Sequence, residues 1–92
     1  MSDHITIKAA NPCRAWLDGQ PEVRLPLPAP ITLGALLLRL ATELAAFPRL
    51  PVDDRALLQS ELLVYSAGRF LRPEDGVAPG MTLELLPSTA GG

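Results

Sequence analysis

The chain has 92 residues, 48% hydrophobic and 20% charged, with a formal net charge of −2. That length suits one core, burying somewhat over ~60% of the surface that the unfolded chain exposes, and the hydrophobic content places it well on the globular side of the disorder boundary. No Lys/Arg cluster is present, which removes the electrostatic footprint of a nucleic-acid or acidic-membrane binder.

The most apolar stretch, residues 31–47, is interrupted by Arg39 and Glu43 and is too short to span a bilayer. Met1-Ser2-Asp3-His4 lacks a basic region leading into an apolar one, so no signal peptide is visible and a soluble cytoplasmic protein is expected. Cys13 is the only cysteine and His4 the only histidine. An internal disulfide is therefore impossible, and neither residue has the companions needed for a zinc site or a catalytic triad. An inert thiol and a surface histidine on a first strand are expected. Lys8 is the only lysine.

His4-Ile5-Thr6-Ile7-Lys8-Ala9 alternates with Ile5, Ile7 and Ala9 on one face, the period of a half-buried strand. Asn11-Pro12 stops it. After a turn signal at Asp18-Gly19, Val23, Leu25 and Leu27 share one face of a second strand, which makes a hairpin with a long, irregular connection. Pro26 and Pro28 lack amide donors, so this strand belongs at a sheet edge. Thr32 stands where an N-cap should, and Leu33, Leu36, Leu37, Leu40, Leu44 and Phe47 follow at helical spacing until Pro48. The stripe is wide enough to cover one face of a sheet, with Leu38 off it.

Residues 49–60 are the least legible; Pro51 and Asp53-Asp54 could begin a short helix through Ala56, Leu57 and Leu58. Leu62-Leu63-Val64-Tyr65-Ser66 reads as a strand, followed by a turn at Ala67-Gly68 and a brief strand, Arg69-Phe70-Leu71. Glu74-Asp75-Gly76 and Pro79-Gly80 read as turns. Met81-Thr82-Leu83-Glu84-Leu85 is the last strand, halted by Pro87. Strands followed by one long helix and further strands predict an α+β protein: a β-grasp fold with a mixed sheet of four to five strands covered on one face by one main helix. Residues 1–87 form that domain and residues 88–92 a flexible tail.

The tail, Ser88-Thr89-Ala90-Gly91-Gly92, is small and uncharged and contributes almost no apolar surface. Five residues beyond Pro87 reach at most roughly 17 Å. Glycine lacks a Cβ and can pass through a narrow channel, so the tail could present the Gly92 carboxylate inside another protein's active site. That carboxylate is ionised at neutral pH and a poor electrophile until it is activated. Adenylation by an ATP-using partner would supply a leaving group, and a persulfide or thiolate could then displace AMP.

The last strand should turn Leu83 and Leu85 towards the helix and Thr82, Glu84 and Leu86 outward. With Leu62 and Val64 in the core, Leu63 and Tyr65 join Leu86 in an exposed apolar patch beside the tail, a candidate partner surface. The opposite register would exchange Leu62 and Val64 with their neighbours, and scattered surface hydrophobicity is the plain alternative.

The chain resembles the family that contains the molybdopterin synthase small subunit, the thiamine-pathway sulfur carrier and related ubiquitin-like sulfur carriers. The resemblance covers most of the length. It rests on Glu22-Val23-Arg24-Leu25-Pro26-Leu27-Pro28, on Ile31-Thr32-Leu33-Gly34-Ala35-Leu36-Leu37, on Asp75-Gly76 through Met81-Thr82-Leu83-Glu84-Leu85-Leu86-Pro87, and on Gly91-Gly92. A proline after the last strand is more similar to the molybdopterin synthase subunit and some cysteine-pathway carriers than to the thiamine carrier. The Tyr65-Ser66-Ala67-Gly68 turn departs from the family's frequent Asn-Gly type.

The resemblance implies a carrier rather than an enzyme, with no bound cofactor and no catalytic residue of its own. An E1-like enzyme would use ATP to adenylate Gly92, which would become a thiocarboxylate, with Gly91 as its neighbour. The sulfur would pass to a biosynthetic enzyme such as the large subunit of molybdopterin synthase. A protein modifier joined through Gly92 to lysines and a non-covalent β-grasp interaction module are the competing readings.

Overall fold

A computed structural model describes residues 3–88. In chain order it contains β1 (His4–Ala9), a 3-10 helix (Cys13–Leu17), β2 (Glu22–Pro26), β3 (Ile31–Thr32) and α1 (Leu33–Glu43). After these come α2 (Arg55–Glu61), β4 (Leu62–Ser66), β5 (Arg69–Phe70), β6 (Gly76–Val77) and β7 (Thr82–Pro87). Five strands form one mixed sheet in the order β2-β1-β7-β4-β5. β1 and β7 run parallel at its centre, and the other pairs are antiparallel.

Alternation along the strands separates two faces. On the inner face Ile5, Ile7, Leu62, Val64, Leu83 and Leu85 are no more than 4% exposed. Leu33, Leu36, Leu37 and Leu40 of α1 join them in one core, so the leucine stripe does what its spacing requires. Each such side chain contributes about 1.5–3 kcal/mol by leaving water. The register of β4 is thereby settled, with Leu62 and Val64 inward and Leu63 and Tyr65 outward.

α1 starts where Thr32 caps it, its Oγ1 accepting from the Ala35 amide at 3.1 Å. Two more amides of the first turn donate outside the helix, Leu33 to the Asp75 carbonyl at 2.8 Å and Gly34 to the Pro73 carbonyl at 2.9 Å. The helix ends earlier than its apolar spacing predicts. Leu44 is already extended at φ −113° and ψ 121°. Asp18 Oδ1 accepts from the Ala46 amide at 3.2 Å in the turn that follows, and Pro48 disfavours a helical Phe47. Phe47 is still buried, packed edge to face on Trp16 with ring centroids 5.6 Å apart.

Three further findings refine the sequence reading. The connection after β1 is not wholly irregular, because a 3-10 turn sends Cys13 and Leu17 into the core. The obscure segment holds α2, capped by Asp54 Oδ1, which accepts from the Leu57 amide at 3.1 Å. Gly76, read as part of a turn, pairs with Thr32 while Val77 pairs with Ile31 in a separate two-stranded ladder. β2 lies at a sheet edge, as its prolines require.

Candidate functional site

β7 is the middle strand of the five, held by β1 on one side and β4 on the other. Its last residue, Pro87, stands opposite Leu62, and Ser88 follows half-buried at the end of the sheet. Thr89, Ala90, Gly91 and Gly92 lie outside the described residues. Pro87 and Ser88 help to wall a cleft of about 110 Å³ together with Pro12, Cys13, Trp16 and Glu61. Cys13, which lines it, is 2% exposed, and burial pushes its thiol pKa up. A thiol so placed is a poor nucleophile, which matches the inert role expected for it.

The outer face of the sheet presents the side chains that alternation directs away from α1. Leu63 pairs with Leu86, and Tyr65 pairs with Glu84. The three residues singled out as a partner surface, Leu63, Tyr65 and Leu86, therefore stand on adjoining strands beside the point where β7 ends. Phe70 extends the patch. It pairs with Tyr65, the two rings meeting edge to face at a centroid distance of 5.3 Å, and remains 55% exposed.

Sequence reasoning missed Phe70. The signal was available: a two-residue loop at Ala67-Gly68 sets residue 65 opposite residue 70. Ala67 and Gly68 both take positive φ, 52° and 87°, as a type I′ hairpin turn requires.

One register line crosses the entire sheet on this outer face. Glu22 pairs with Lys8, Lys8 with Glu84, Glu84 with Tyr65 and Tyr65 with Phe70. Its β2 end is charged and its β5 end aromatic, with Glu84 at the junction. Among the described residues no group of three His, Cys, Asp or Glu side chains is placed to hold a metal, and no helix is long and apolar enough to cross a membrane.

No protein-family model and no curated protein sequence matches the chain. Solved structures do match. The crystal structure of SAMP1 from Haloferax volcanii aligns over 97% of this chain and 99% of that one, with a TM-score of 0.74 and 22% sequence identity. The solution structure of Urm1 from Trypanosoma brucei aligns over 99% and 97%, with a TM-score of 0.74 and 24% identity. With the sheet order above, these likenesses define the class by its fold: an α+β β-grasp protein of the ubiquitin-like kind.

Proposed function

We propose that this β-grasp protein is a sulfur carrier whose working group is the carboxylate of Gly92. The observation that supports it most is the placement of β7. The strand that leads into Ser88-Thr89-Ala90-Gly91-Gly92 is anchored on both sides at the centre of the sheet and leaves it beside an outward apolar patch. A rigid body, a docking surface and an adjacent tail are the three parts a carrier needs, because the chemistry is supplied by whichever enzyme receives the tail.

In the proposed reaction a carboxylate oxygen of Gly92 attacks the α-phosphorus of ATP on an E1-like partner, and pyrophosphate leaves. A sulfur nucleophile then attacks the acyl carbon and displaces AMP. With a persulfide as donor, reductive cleavage of the resulting acyl disulfide by a thiol leaves the thiocarboxylate. That sulfur passes to a biosynthetic enzyme, and the small-subunit role in molybdopterin synthase is the favoured assignment. ATP is consumed by the partner, and this chain supplies no catalytic side chain.

Incubation with ATP, a cognate E1-like enzyme and a sulfur donor should raise the intact mass by one oxygen-to-sulfur exchange. Adding one residue after Gly92 should abolish the increase, since the carboxylate would sit one residue too far along the channel. Replacing Tyr65 or Leu86 by Asp should prevent binding to the activating enzyme while leaving the domain folded. ATP-dependent lysine-linked adducts without a detectable thiocarboxylate would establish the modifier reading instead. The likeness to the fold of SAMP1 and Urm1 is equally compatible with that reading, so the mass measurement decides.

A further inference from the structure

We propose that Glu84 and the Tyr65–Phe70 ring pair form a receptor for a single arginine side chain, carried on an apolar segment of the partner protein that docks on the outer sheet face. The inference rests on the carrier reading for the partner's identity and on the geometry of the sheet for its chemistry.

Glu84 lies on the central strand, with Leu86 two residues along it, Tyr65 beside it on β4 and Lys8 beside it on β1. Its carboxylate forms no ion pair and no hydrogen bond with another side chain among the described residues. Lys8 stands between Glu84 and Glu22 in the row, but among the described residues no ion pair joins its ammonium to either carboxylate. A wholly apolar partner covering Leu63, Tyr65 and Leu86 would strip water from the β4 side of Glu84, where no cation stands beside it, which opposes docking. A cation brought by the partner to the Tyr65 side of Glu84 would offset that cost.

Arginine suits the spot better than lysine. Directly opposed side chains on neighbouring strands stand about 5 Å apart at Cβ, within the span of one guanidinium. Its planar fork can grip the Glu84 carboxylate in two hydrogen bonds while its face lies on the Tyr65 ring, and it sheds water more readily than an ammonium. Phe70, held edge to face against Tyr65, braces that ring from the far side.

The test uses the full chain and three capped peptides, acetyl-Leu-Arg-Leu-amide and its citrulline and lysine counterparts, titrated at low salt while backbone amide chemical shifts are followed. The arginine peptide should shift amides of β4, β5 and β7 around Tyr65, Phe70 and Glu84, and should bind about threefold or more tightly than the uncharged citrulline peptide. Glu84→Gln should erase that preference without loss of amide dispersion, and Tyr65→Leu should reduce it. Equal binding of the arginine and citrulline peptides, shifts mapping elsewhere, or no shifts up to about 10 mM peptide would overturn the receptor. Thiocarboxylate formation on Gly92 is scored separately. Arginine selectivity without a thiocarboxylate would retire the carrier reading alone, and a thiocarboxylate formed without arginine selectivity would retire the receptor alone.

Discussion

The Ser66 hydroxyl donates a 2.8 Å hydrogen bond to the carbonyl of Thr82, on the neighbouring strand. Backbone pairing of β4 with β7 has by then stopped at Tyr65 and Glu84, because β4 is turning into its hairpin with β5. The serine continues the ladder by one bond at a position only 5% exposed. Ser66→Ala should cost about 1–3 kcal/mol, since the carbonyl loses its partner in a place water barely reaches. Urea denaturation of the two proteins measures it, and an unchanged midpoint would show that the bond contributes nothing net.

Ala67 is a non-glycine residue at φ 52°, beside Gly68 at φ 87°. A β-carbon in the left-handed region is strained by roughly 1 kcal/mol, and asparagine tolerates that region better. Ala67→Asn should therefore raise stability by about 0.5–1 kcal/mol. Gly68→Ala should lower it, although an added Cβ would meet nothing within 4 Å, because there the backbone conformation and not space is the obstacle. Thermal melts of both variants distinguish the two signs.

The loop that feeds carbonyls to the start of α1 is tied by charge. The Asp75 carboxyl accepts from the Arg72 amide at 2.7 Å and from its guanidinium at 3.2 Å. These contacts, the amide first, hold the carboxyl below its ordinary pKa of 3.8. The folded state thus binds fewer protons than the unfolded state through this range. The resulting stabilisation is present above about pH 4 and is lost as pH falls through the depressed folded value. Asp75→Asn should flatten the dependence of the urea midpoint on pH in that acid window and leave its slope above about pH 6 unaltered.

At the other edge, the bonds from Ala9 to Pro21 and from Leu27 to Asp3 set the β1–β2 ladder so that residues 23, 25 and 27 bond inward. The backbone groups of Glu22, Arg24 and Pro26 then point away from the sheet. Pro26 has no amide to offer there, which blunts the edge against pairing with another chain. Pro26→Val should increase self-association, visible as a concentration-dependent rise in sedimentation coefficient; a strictly monomeric variant would contradict this role.

Where a local pattern repeats over five or more residues, the chain announced its structure. The alternation in β1 and β7 named the inward residues correctly, and Thr32 announced the start of α1. The ladder of Ile31–Thr32 with Gly76–Val77 was illegible because two residues carry no period, and its pairing joins segments more than forty positions apart. Phe47 misled because its spacing from Leu44 continues the helical stripe, whereas Trp16 draws it into the core from a turn. At the candidate site, alternation placed Leu86 outward but left two registers open for residues 62–66, because apolar side chains fill both faces of that run, and the structure turns Leu63 and Tyr65 outward. The row from Glu22 to Phe70 needed the order of the strands, which alternation does not encode.

Because β7 is bonded along both edges, its role does not end with geometry. A partner that holds the body by its outer face and draws on the chain beyond Ser88 pulls along the axis of the central strand. The load then falls on the β1–β7 and β4–β7 hydrogen bonds together, in shear, instead of opening them one after another as at an edge strand. A handle after residue 88 and a second on the body should therefore yield, in single-molecule extension, a far larger rupture force than the same pull applied through β5. The strand that leads to the tail is also the part of the sheet best able to withstand its being grasped.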